Sequence, residues 1–163
     1  MVREISGDVI TAAGDSGIIC HQVNYFGVMG AGVAASIREK LLTAVQYGKY
    51  VSYCDELGTS ALGTVQFLPA QTGASVANMF CQGDQPDRTG SLTLYDAMRT
   101  CFEKVEHGAA FSGRRVFIPA RIGCGIAGGD WERVKSIIHS VFDNSPVEAV
   151  IVNWEGRVKC DTD

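Results

Sequence analysis

The sequence predicts an α/β chain, a three-layer α/β/α sandwich built on a mixed sheet of about six strands. Three observations carry this. Short apolar runs alternate with helix-period segments along almost the whole chain. Two apolar runs in the middle, 63–68 and 75–81, are joined by one short turn, so they form an antiparallel pair within a sheet whose other connections are long. Two glycine-rich stretches, 27–32 and 123–129, each stand between an apolar run and a helical pattern.

Taken in order, residues 2–5 alternate and read as a first strand, followed by a polar turn over 6–10 and a second turn over 14–17. The apolar run 17–20 reads as a buried strand that ends where His21, Gln22 and Asn24 begin. After the glycine turn, Val33, Ile37, Leu41 and Leu42 recur at helical spacing. A second helical stretch covers 45–57, with Gly58 as its stop. The strand over 63–68 ends at Pro69, residues 71–74 make a turn, and 75–81 is the next strand. Residues 82–90 are polar and read as a loop; Ser91 is placed to cap a helix over 92–106 with Leu94, Ala97, Met98, Cys101, Phe102 and Val105 inward. A buried strand over 115–119 precedes the second glycine loop. Asp130 is placed to N-cap a helix that turns Trp131, Val134, Ile137, Ile138 and Val141 inward. Residues 146–154 form the last strand. The reading is one domain over 1–154 and a polar tail over 155–163.

Composition excludes several classes. Hydrophobic residues make 46% and charged residues 20%, an ordinary globular balance that can bury a core. The net charge is -4 and no Lys/Arg run occurs, which argues against a nucleic-acid surface. Six scattered cysteines form no C-x-x-C, so no zinc knuckle, redox pair or other metal site is expected. No apolar run is long enough for a membrane span and no leader pattern is seen, so the expectation is a cytoplasmic protein away from membranes.

The chemistry concentrates on the glycine loops. Glycines let backbone approach a ligand closely, and free N–H groups at a helix start attract an anion. The first loop is neither a P-loop, since no Gly-Lys-Ser/Thr follows, nor a Gly-x-Gly-x-x-Gly fingerprint, since Ala35 and Ser36 stand beyond Gly32. Ligands of α/β sheets bind at strand C-terminal ends. Two glycine loops meeting there would cradle a diphosphate between them. Asp8 is a ligand acceptor or a turn cap.

These pieces resemble the macrodomain, the ADP-ribose-binding α/β/α module. The carrying residues are Gly7-Asp8-Val9-Ile10, Val23-Asn24 with Gly30-Ala31-Gly32-Val33-Ala34, then Ile118-Pro119 with Gly123-Cys124-Gly125-Ile126-Ala127-Gly128-Gly129. They stand in the family's order and span nearly the whole chain. The resemblance implies that Asp8 binds the adenine amino group with the Val9 backbone beside it. It implies that Asn24 contacts the distal ribose and that Gly30, Ala31, Gly32 and Val33 give N–H groups to the diphosphate. Gly123, Cys124, Gly125, Ile126 and Ala127 would wrap its other side, and Trp154 would stack on adenine. No cofactor is implied. The partner is ADP-ribose, a derivative of it, or an ADP-ribosylated protein.

Within that family, His21 ahead of Asn24 is similar to the branch of small ADP-ribose-1″-phosphate phosphatases and terminal ADP-ribose glycohydrolases. There His21 would act as base, nucleophile or acid, although a lone histidine is more often structural. One glycohydrolase type carries a lysine after the fourth strand and an aspartate in the second loop. This chain has Gln82-Gly83-Asp84-Gln85 and Ala127 at those places. Asp130 stands nearby as a substitute carboxylate, or simply as the helix cap. Two functions follow from the resemblance: a hydrolase that uses His21, Asn24 and Asp130 on the distal ribose phosphate or ester, or a reader that binds ADP-ribose without chemistry.

Overall fold

A computed structural model describes residues 1–154; the tail expected over 155–163 lies outside the described residues. The strands are β1 (Val2–Ser6), β2 (Ile18–Val23), β3 (Val65–Pro69), β4 (Ser75–Phe80), β5 (Val116–Pro119) and β6 (Ala149–Asn153). The helices are α1 (Val9–Ala13), α2 (Gly32–Leu41), α3 (Ala44–Leu57), α4 (Tyr95–Ser112) and α5 (Trp131–Phe142), with a 3-10 turn at Gly58–Ala61. The sheet order is β1-β6-β5-β2-β4-β3. All pairings are parallel except β3 with β4, the expected hairpin. The mixed six-stranded α/β/α architecture is the one the sequence predicts.

The central strands are mostly apolar because a parallel sheet covered on both faces buries both side-chain rows; His21, Gln22 and Asn78 are the polar exceptions in β2 and the interior of β4. Val116, Phe117, Ile118 and Pro119 are all buried. Alternate residues divide between two cores. Ile19, Val76, Phe80, Phe117 and Val150 pack with Ile37, Leu41, Tyr50 and Cys54 of α2 and α3. Ile18, Ala77, Met79, Ile118 and Ile151 pack with Met98, Phe102, Val134, Ile138 and Phe142 of α4 and α5. Caps set the helix starts: Thr43 and Gln46 exchange hydrogen bonds at α3, and Asp130 Oδ1 accepts from Glu132 N at 3.0 Å at α5.

Three expectations are corrected. The turn over 6–10 contains the start of a short helix, α1, because Asp8 Oδ1 accepts from Thr11 N at 3.0 Å and nucleates one turn and a half. The second strand does not end at Cys20 but runs to Val23, carrying His21 and Gln22 into the sheet. Ser91 does not cap α4, which starts only at Tyr95. Instead residues 91–94 run extended: Gly83 N donates to Leu92 O, Leu92 N to Ala127 O and Leu94 N to Cys81 O.

Candidate functional site

The C-terminal ends of the parallel strands β2, β4 and β5 open into one cavity of about 410 Å³, within the roughly 300–1,000 Å³ range of small-molecule sites. One wall is the loop from β2 to α2, with Asn24, Val28 and Gly30 to Ala34; the other is the loop after β5, with Pro119 to Gly123 and Gly125 to Ala127. His21 and Gln22 of β2 and Gln82 after β4 complete the lining.

Helix α2 turns its start toward this space. Its N-cap residue, Ala31, has no side-chain oxygen, so the first-turn N–H groups stay available to an anion. The loop ahead of it is braced from α3. Tyr50 Oη donates to Asn24 O at 2.8 Å and Tyr47 Oη donates to Gly27 O at 2.8 Å. The Asn24 side chain folds the same loop: Oδ1 accepts from Phe26 N at 2.9 Å and one Nδ2 hydrogen goes to Val28 O at 3.0 Å. Its second Nδ2 hydrogen is left for a ligand.

The facing loop is a tight fold on two glycines. Gly129 N donates to Gly123 O at 2.9 Å. A Cβ on Gly129 would lie 2.5 Å from that oxygen. Gly123 has φ +74°, and a Cβ there would meet Gln22 Oε1, Met98 Cε and Thr93 Oγ1 at 3.0 Å each. Thr93 Oγ1 donates to Gly123 O at 2.6 Å and accepts from Gln22 Nε2 at 3.1 Å, while Cys81 Sγ donates to Gln22 Oε1 at 3.1 Å. A buried polar chain therefore ties this loop to β2 and β4. Among the described residues no acceptor faces the N–H groups of Gly125, Ile126 and Ala127, which leaves three donors along the rim.

Electrostatically the lining favours anions. Among the described residues it contains no carboxylate, and Arg121 is its one permanently charged side chain. Arg121 sits at φ +64°, the left-handed region, and is alone among the described non-glycine residues in doing so. Such a backbone costs of the order of 1–2 kcal/mol for a residue with a Cβ.

His21 is 2% exposed. Its Nε2 lies 2.5 Å from Asn78 Oδ1 on β4, directly across the ladder. Burial depresses its pKa from 6.5 to about 4, against a smaller opposing effect of the Asn78 hydrogen bond. The imidazole is neutral at pH 7. A depressed histidine makes the unfolded chain bind the proton first, so stability is full above pH 6.5 and falls as pH drops toward 4. The expected loss across that window is about 3 kcal/mol, from about 1.4 kcal/mol per unit. Denaturant melts between pH 7 and 4 should show this slope in the wild type and not in His21→Gln; equal slopes would remove His21 as the cause.

The structure brings His21, Asn24, Gly30, Ala31, Gly32, Val33, Gly123, Gly125, Ile126 and Ala127 together around the cavity. It keeps others out of the lining. Asp130 is committed to capping α5, so the carboxylate expected to stand in for the missing loop aspartate is not at the cavity. Cys124 Sγ turns to Ile122 O at 3.4 Å, and burial pushes its thiol up to about 11. Asp8 spends Oδ1 on α1, the Val9 side chain packs into the core, and Trp154, 59% exposed, follows β6; none of the three lines the cavity. Sequence reasoning missed Gln22, Gln82 and Arg121 as lining residues. The signal for Arg121 was a charged residue two positions after the proline that closes β5.

No protein-family model matches the chain. A 17.5 kDa protein of the tk–vs intergenic region of Enterobacteria phage T4 is 29% identical over 159 residues, 95% of this chain and 97% of the relative. A protein of unknown function from Bacteroides thetaiotaomicron superposes with TM-score 0.81 at 29% identity, covering 94% of this chain and 98% of that one. A macrodomain protein from Streptomyces coelicolor superposes with TM-score 0.75 at 22% identity over 93% and 98% of the two chains. DarTG from Thermosipho africanus, solved in complex with ADP-ribose, gives TM-score 0.73 at 14% identity over 93% of this chain and 41% of its own. The six-stranded mixed sheet, its helical layers and these superpositions together give the chain the macrodomain fold.

Proposed function

We propose that the cavity binds ADP-ribose or an ADP-ribose derivative. The observation that carries this is the pair of glycine-rich walls, the α2 start on one side and the Gly125 to Ala127 amides on the other, facing each other across a cavity that no carboxylate lines among the described residues. That arrangement suits a diphosphate held by backbone N–H groups. The complex of Thermosipho africanus DarTG with ADP-ribose supports the same ligand. A nucleotide extending from the cavity across the ends of β6 and β1 comes to Trp154 and to Asp8 Oδ2, whose partner oxygen is already bound to Thr11 N. Asn24 Nδ2 and His21 then lie toward the distal ribose.

The chemistry that this lining suits is hydrolysis of a distal phosphate or ester, with the ligand held in place by the loops and His21 as the proton acceptor. A non-catalytic reader is the second reading. It is favoured by the absence of a lysine or carboxylate from the lining among the described residues and by the commitment of Asp130 to a helix cap.

Calorimetric titration with ADP-ribose, ADP and AMP tests the binding. The expected order is ADP-ribose tightest and AMP weakest, and no detectable binding of ADP-ribose would remove the reading. Incubation with ADP-ribose-1″-phosphate then separates the two functions: phosphate release that His21→Gln abolishes supports the hydrolase, and binding without turnover supports the reader.

A further inference from the structure

A row of polar side chains crosses the sheet at one level. His21 on β2 stands opposite Asn78 on β4, and Asn78 stands opposite Gln66 on β3. The row is anchored at its far end, where Gln66 Nε2 donates to the Lys49 carbonyl at 3.2 Å. That donation turns Gln66 Oε1 toward Asn78, where it accepts from Asn78 Nδ2 at 3.1 Å. Asn78 must then present Oδ1 to His21, and an amide oxygen is an acceptor only. The proton between them therefore belongs to His21 Nε2. A neutral imidazole protonated at Nε2 has a bare lone pair at Nδ1. That atom is buried and has no hydrogen-bond partner among the described residues. A buried polar atom without a partner is costly, and the ring that carries it is part of the cavity wall.

We infer that the Lys49–Gln66–Asn78 row locks His21 as an acceptor-only group at the cavity, and that Nδ1 recognises a hydroxyl of the ligand and not a phosphate oxygen. Two lone pairs, one on nitrogen and one on a phosphate oxygen, repel; a hydroxyl supplies the missing proton. In the ADP-ribose reading, on which this inference rests, the hydroxyl is on the distal ribose, because the adenine end lies over β6 and β1. Asn78 is then a positioning residue: it never reaches the ligand but decides which ring nitrogen carries the proton. The arrangement also fixes direction, since His21 in this form takes a proton from its partner at Nδ1 and cannot give one there.

Nitrogen-15 NMR of histidine-labelled protein tests this. In the free protein at neutral pH, His21 should show a protonated Nε2 and an unprotonated Nδ1. ADP-ribose should shift the Nδ1 resonance toward the hydrogen-bonded position, whereas ADP and pyrophosphate should not. Asn78→Leu, which removes the acceptor facing Nε2, should lose that tautomer. His21→Phe should weaken ADP-ribose about three- to tenfold, as loss of one neutral hydrogen bond does, with a smaller loss for ADP. A protonated Nδ1 in the free wild type overturns the inference. So does ADP-ribose binding with an unmoved Nδ1 resonance, which leaves the ADP-ribose reading intact. Absence of any ADP-ribose binding by calorimetry overturns both.

Discussion

Gly129→Ala is expected to lower ADP-ribose affinity by about tenfold to a hundredfold while leaving the protein folded. The added Cβ would stand 2.5 Å from Gly123 O and 3.2 Å from Thr93 Oγ1. The first contact is with backbone, which cannot rotate away as a side-chain tip would. Overpacking of this kind typically costs 1–3 kcal/mol. The loop meets that cost by opening at the Gly129 N to Gly123 O bond, and opening moves the N–H groups of Gly125, Ile126 and Ala127 away from the ligand. Calorimetry with ADP-ribose beside a thermal melt separates the two effects. Unchanged affinity would show that this loop does not hold the ligand.

Tyr50→Ala is expected to cost about 3–5 kcal/mol of stability, as full truncation of a buried aromatic does. That is a large part of the roughly 5–15 kcal/mol that keeps a domain of this kind folded. The ring is fully buried, stacks on Phe80 at 6.0 Å between centroids and carries the hydroxyl that holds Asn24 O. Tyr50→Phe isolates that hydroxyl: it should cost about 1 kcal/mol by leaving Asn24 O only the long thiol contact from Cys54, and it should also weaken ADP-ribose because the loop behind Gly30 loses a brace. Denaturant midpoints and calorimetry read the two quantities separately. A Tyr50→Phe protein equal to wild type in both would deny the brace its role.

Much of the architecture was legible because burial on both faces leaves a plain mark. The runs that became β4, β5 and β6 are apolar but for Ser75 and Asn78 in β4 and Asn153 at the end of β6, and the short turn over 71–74 forced the antiparallel pair. The errors have physical causes. His21 and Gln22 look like the end of a strand, since polarity usually marks solvent; here they continue the strand, with Asn78 and Thr93 hydrogen-bonded to them from neighbouring elements, and no local pattern reports a partner many residues away. Residues Leu92 and Leu94 were absorbed into a helix whose stripe they extend, but their backbones pair with Ala127 and Cys81. The glycine walls of the site were visible as composition. Arg121 was not, because what distinguishes it is a left-handed backbone and a place on the lining. The capping roles of Asp8 and Asp130 were offered by the sequence and are borne out, whereas only the fold shows Cys124 turned onto a carbonyl.

The extended segment 91–94 makes the cavity mechanically lopsided. It stitches the end of β4 to the loop after β5, so that wall is one stiff jaw, braced through Leu92, Thr93 and Leu94 into the centre of the sheet. The opposite jaw, from Asn24 to Ala31, is held by two tyrosine hydroxyls, its own asparagine and the buried side chains of Tyr25 and Met29, and among the described residues its backbone makes no such stitch to the sheet. Any clamping on a guest is therefore one-sided. The jaw between β2 and α2 travels and the other serves as the anvil, so amide exchange should slow on binding mainly along residues 25–31.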